Sequence, residues 1–210
     1  MTVESLPQML YLLAYNPSRQ QTTARLELGL TLRAAALAEL LMVGRLRDDG
    51  GRPRAQGHAA FADPLLDEVY QEIASSRPRR WQYWVNRGSR EAARKVRDRL
   101  AADGVLRLER GRVLGILPRT KVIITDERVM RDLAERVRVA LTETVPASRV
   151  DARDAALVAL AARAEFGTIL PRKERRRYKR RIDQLAESTG PVAPALRRAI
   201  STRRAAASGT

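Results

Sequence analysis

Residues 89–108 read SREAARKVRDRLAADGVLRL, and a helix, a stop and a strand follow one another within them. Ala93, Val96 and Leu100 fall on one helical row while Arg90, Arg94 and Arg97 fall on an adjacent one, so the spacing predicts a helix over 89–102 that is anchored on one face and charged on the next. Asp103-Gly104 ends it. Residues 105–108 and 113–117 then read as strands around Glu109-Arg110-Gly111-Arg112. A further apolar run, Val122-Ile123-Ile124, faces residues 113–117 across Pro118-Arg119-Thr120-Lys121, which predicts a projecting β-hairpin with a basic tip.

Upstream, residues 28–46 carry Ala36, Leu40 and Val43 beside Leu37 and Leu41 at helical spacing, and a turn follows at Asp48-Asp49-Gly50-Gly51. Asp63-Pro64 marks a helix start, because Asp accepts from an orphan N–H and proline at the first helical position has none to waste. Leu65, Leu66, Val69 and Ile73 form its apolar stripe, and a short helix opens at Trp81 with aromatics that serve packing. Downstream, Asp126 caps a helix bearing Val129, Leu133, Val137 and Leu141. Residues 148–151 resemble a capping box ahead of a buried helix with Leu157, Leu160, Ala161 and Ala164. Eight of the eleven residues 171–181 are basic, and Ile182, Leu185 and Ala186 carry that run into a last amphipathic helix. The fold class expected is mainly α, a single compact helical domain over residues 1–200 with a projecting β-hairpin, followed by a frayed tail at 201–210.

Composition bounds the function. The 210 residues suffice for one domain with a real core, and aromatics at 4% leave Leu, Val and Ala to fill it. Forty Lys plus Arg against 24 Asp plus Glu give a formal charge of +16, which calls for an anionic partner: nucleic acid, acidic protein or phospholipid surface. There is no cysteine and His58 is the one histidine, so a thiolate or histidine metal cage is excluded and no cofactor is expected. Serine-nucleophile signatures and Gly-rich phosphate loops are absent, and carboxylate pairs such as Asp67 and Glu68 carry no catalytic mark, so the chain reads as a non-enzyme. The apolar segment at residues 9–15 is far short of the ~20 residues that span a bilayer, and it has no signal-peptide flank, so the expected location is cytoplasmic.

Several blocks in order resemble the Golgi phosphoprotein 3 family: Leu32-Arg33 with Glu39-Leu40 and Gly44-Arg45-Leu46, then Leu65-Leu66-Asp67-Glu68, then residues 94–100 leading to Gly104-Val105-Leu106. The resemblance covers most of the chain and suits a bacterial-type member. It implies a peripheral membrane protein that binds an anionic phospholipid headgroup, phosphatidylinositol 4-phosphate in the family, and serves as an adaptor for the cytosolic tails of membrane proteins. Oligomerisation has precedent in the family, so a homo-oligomer is open. The family's pocket arginines fall on Arg33, Arg94 and Arg97, with Arg90 on the same charged row. Where the family has a tryptophan nine residues before the first of them, ungapped counting gives Ala24, so the headgroup could differ.

Three basic residues at about 1 kcal/mol each give roughly 3 kcal/mol, short of the ~4 kcal/mol that millimolar binding needs. The family supplies the remainder with a hairpin that dips into the leaflet, and the residues expected to insert here are Leu114, Ile116, Leu117, Val122 and Ile123. The rival reading is a winged-helix-like nucleic-acid binder, in which the same basic helix and hairpin would face a groove. The resemblance ranks nucleic acid below the membrane surface as a partner.

Overall fold

The computed structural model describes residues 3, 5–17, 21, 22, 25–113, 117–167 and 169–209, of which 25, 26, 110–113 and 117–119 are described in backbone only. Ten α-helices lie among these residues, with three separate two-stranded antiparallel sheets. The mainly helical single domain expected from the sequence is what forms.

The core is built around α2 (Arg25–Met42), which packs against α1 (Leu6–Leu13), α3 (Pro64–Ser75), α4 (Trp81–Asn86), α5 (Ser89–Ala102), α7 (Ala152–Arg163) and α10 (Val192–Ser208). Its central position follows from composition: every residue from Leu28 to Leu40 is buried, so the helix has no solvent face. It ends at Met42, earlier than the 46 expected, because Gly44 takes a left-handed φ of 68° and Leu46 enters a small hairpin, β3 (Leu46–Asp48) with β4 (Pro53–Ala55). Val43, assigned to the apolar row, is therefore half exposed.

Helix α1 is buried along its whole length and was not anticipated, although Ser5-Leu6-Pro7-Gln8 carries the signal. The Ser5 hydroxyl accepts from the Gln8 N–H while the Gln8 side chain accepts from the Ser5 N–H, with Pro7 in the first turn. The Leu6 N–H donates to Glu39 on α2 at 2.5 Å, and Ser5 Oγ donates to Asp63 at 2.5 Å. Glu39 is 4% exposed and pairs with Arg153 of α7 at 2.6 Å. Burial raises its pKa, opposed by the Leu6 N–H and Arg153.

Helix α3 starts where Asp63-Pro64 placed it, Asp63 accepting from the Leu65 and Leu66 N–H groups. α5 has the expected bounds, but its buried row is Ala92, Val96 and Leu100, with Ala93 half-buried. The hairpin differs more. β5 (Leu106–Val113) is one continuous strand that runs through Glu109-Arg110-Gly111-Arg112, and it pairs with β6 (Leu117–Ile124) in the register Leu106↔Ile124, Leu108↔Val122, Val113↔Leu117. The supposed first turn is ladder, and residues 114–116 between the strands lie outside the described residues. The base of the hairpin is fixed: Leu106 and Val122 are buried, and the Tyr15 hydroxyl donates to the Val122 carbonyl at 2.6 Å.

Helix α6 (Glu127–Leu141) is capped by Asp126 as expected, and α7 is the buried helix foreseen, but its N-cap is Asp151 alone, with Ser148 in a preceding 3-10 turn. The basic run forms α8 (Arg172–Arg177) and α9 (Lys179–Ala186), and neither is last. α10 follows and continues to Ser208 through the segment read as a frayed tail, because Arg204 bridges Glu27 and Glu165, both at 3.0 Å, and Arg203 donates to the Ser89 hydroxyl at 3.0 Å.

Candidate headgroup site

Charge on α5 is displayed by its anchoring. With Ala92, Val96 and Leu100 facing the core, Arg90 and Arg94 emerge exposed and Arg97 emerges half-buried. Arg94 and Arg97, one turn apart, line a concavity of about 290 Å³. Tyr11 and Leu28 lie among its lining residues, Gln21 and Thr22 of β2 (Gln21–Thr22) supply another side, and Thr120 and Val122 of the hairpin a third.

Arg94 makes no ion pair among the described residues, whereas Arg97 places Nε and Nη2 on Asp98 Oδ1 at 2.9 and 2.7 Å. That pair is exposed on its acid side and contributes between ~0 and 1 kcal/mol, so an arriving oxyanion can displace it. Tyr11 sits beside Arg97, and its hydroxyl pKa is pushed up to about 12, chiefly by burial, with Arg97 pulling it down. The phenol therefore stays neutral and keeps a proton to donate. Two guanidinium groups and one phenol around a small hollow can bind a phosphate group by charge-assisted hydrogen bonds.

Arg33 does not join them. Its side chain is fully buried, with Nη1 on Glu68 at 3.0 Å, Nη2 on Glu72 at 2.7 Å and Nε on the Trp84 carbonyl at 3.3 Å. Burial lowers its pKa while Glu72 raises it. Lys95 also pairs with Glu68, and Arg87 with Glu72 at 2.8 Å, so this cluster joins α2, α3 and α5 and engages all three guanidinium nitrogens of Arg33 within the fold. The assignment of Arg33 to the pocket is thus corrected: it lies on a helix with no solvent face. Arg90 is exposed but outside the concavity. Among the residues expected to insert, Leu114 and Ile116 lie outside the described residues and the Leu117 side chain is not described. Val122 is 6% exposed and packs inward, and Ile123 is half-buried, so the base of the hairpin belongs to the core.

Among the described residues no three His, Asp or Glu side chains converge as a metal cage, and no helix is long and apolar enough to cross a membrane. A search of curated proteins finds no significant match. The family model described as Golgi phosphoprotein 3 (GPP34) matches residues 6–202. The chain belongs to the Golgi phosphoprotein 3 family. The match runs from the first residue of α1 into α10, so both sides of the concavity, the arginine helix and the hairpin, lie within the family's span. Tyr11, which lines the concavity, is the residue that sequence reasoning missed. Its signal was the capping box at Ser5, which starts a helix and turns Tyr11 toward α5.

Proposed function

We propose that this protein is a peripheral membrane protein that docks on anionic phospholipid surfaces, with the phosphate of a headgroup held between Arg94 and Arg97. The observation that carries the proposal is the placement of two guanidinium groups, one turn apart on a helix anchored in the core, over a hollow of about 290 Å³ with a neutral phenol beside them. Membership of the family supports the lipid reading. What supports the reading is a match to phosphate oxygens rather than to an inositol ring.

Two arginines contribute about 2 kcal/mol near an anionic surface, which is below the ~4 kcal/mol of millimolar binding. The remainder falls to the apolar sequence Val113-Leu114-Gly115-Ile116-Leu117, since burying one such side chain fully adds about 1.5–3 kcal/mol. An adaptor role for membrane-protein tails would place the client on a face away from the bilayer.

Liposome flotation tests the proposal. The Arg94→Ala, Arg97→Ala double variant is expected to lose at least about tenfold in affinity for anionic vesicles, as the ~2 kcal/mol implies, and to keep the wild-type thermal midpoint because Ala92, Val96 and Leu100 are untouched. Unchanged flotation, or capture of duplex DNA at matched salt in place of vesicles, would overturn it. Tyr11→Phe makes a finer test: loss of one hydrogen bond of about 1 kcal/mol predicts roughly fivefold weaker vesicle binding at unchanged thermal midpoint.

A further inference from the structure

Two arginine side chains are buried among the described residues, and they are satisfied in opposite ways. Arg33 holds two carboxylates. Arg181, on α9 and 3% exposed, holds none: Nε donates to the Ala140 carbonyl at 2.9 Å and Nη2 to the Val145 carbonyl at 2.7 Å. Ala140 lies in the last turn of α6, so the guanidinium meets the negative end of that helix, worth about half a charge. Nη1 donates to no atom of the described residues and is not cut off from solvent, so that side of the cation is open to an incoming acceptor.

That side opens on a polar cavity of about 600 Å³. Arg180, Ser148 and Gln184 line it as further donors, and Arg180 makes no ion pair among the described residues. Glu143 and Glu187 line it as well. Both carboxylates are exposed, as is Arg180, so water screens all three, whereas Arg181 acts from a mostly buried floor where its charge is screened less. The potential at the floor is therefore positive. Two guanidinium groups, a hydroxyl and an amide arranged around a hollow match the several acceptor oxygens of a tetrahedral anion better than the two of a carboxylate.

We propose that the cavity floored by Arg181 is a second anion site, built for a phosphate-type oxyanion and separate from the Arg94–Arg97 hollow. α9 packs on α7, while α5 packs on α1, α2 and α3, so the two sites belong to different parts of the helical layer. The phosphate could arrive free in solution or as a lipid headgroup, and the chemistry at Arg181 is the same for both.

The test is made in the Arg94→Ala, Arg97→Ala background, so that the first site contributes nothing and its failure is read separately. Inorganic phosphate is titrated calorimetrically against a sodium chloride control at matched ionic strength, and phosphatidic acid vesicles are compared with phosphatidylcholine vesicles by flotation. Gln184→Glu replaces an exposed amide donor with a carboxylate and leaves the Arg181 bonds to α6 in place. It is expected to weaken phosphate binding at least tenfold without moving the thermal midpoint. Phosphate binding lost in this variant supports a free-phosphate site; vesicle capture lost in it, with no free-phosphate binding, supports a headgroup site. Binding that Gln184→Glu leaves unchanged, or no binding in either arm, overturns the proposal.

Discussion

Arg33→Ala is expected to lower the free energy of unfolding by about 3 kcal/mol, measured by urea denaturation at neutral pH. Removing one partner of a buried ion pair costs about 3–5 kcal/mol, and the lower end applies because Glu68 and Glu72 are 24% and 22% exposed and can partly rehydrate. Against a total stability of about 5–15 kcal/mol this is a large fraction. Arg33→Lys should rescue little, since an ammonium cannot reach Glu68, Glu72 and the Trp84 carbonyl together as a planar fork does. Arg33→Met with Glu68→Gln and Glu72→Gln should recover more of the loss than any single change, because no charge is then stranded. If Arg33→Ala instead kept full stability and abolished vesicle binding, Arg33 would be a ligand-binding residue and its structural role would be wrong.

Gly29→Ala is expected to cost about 2 kcal/mol or more, against the usual preference for alanine in helices. A Cβ on Gly29 would stand 1.8 Å from the Ser89 carbonyl oxygen and 2.8 Å from its carbon, backbone atoms that cannot rotate away. Alanine gains up to about 1 kcal/mol in helix propensity, while forcing packed elements apart costs about 1–3 kcal/mol and occasionally more, so the wedge wins. Because Ser89 opens α5, the same wedge displaces the helix that carries Arg94 and Arg97. Thermal denaturation and flotation should therefore fall together, unlike in the double arginine variant, where flotation falls alone. A stabilised Gly29→Ala protein would show that α2 and α5 do not meet so closely.

These two positions show what could be read from the sequence. Local chemistry was legible: Asp63 and Asp126 name their helix starts, and the bounds of α5 follow from its row of apolar residues and Asp103-Gly104. Strand register was not, because residues 105–124 mix basic and apolar residues without one strong turn signal, and the observed longer ladder pairs more backbone groups. Arg94 and Arg97 were legible as neighbours because helical spacing fixes them, although nothing in the sequence shows the hollow they line. Arg33 was misplaced for a reason its surroundings could have revealed. Residues 28–40 are apolar on all sides apart from Thr31, Arg33 and Glu39, and a helix of that kind is enclosed, so its lone cation needs anions in the core. Gly29 carried no signal, since a close approach of two backbones depends on which helices meet.

The position of α10 also bears on how the chain matures as it is made. Part of α2 is covered by this helix, whose Arg204 reaches back across 177 residues to Glu27. At about 5–20 residues per second, translation from the end of α2 to the end of α10 takes roughly 8–33 s. Throughout that interval the growing polypeptide carries a greasy central rod with one side bare, until α10 emerges and shuts it.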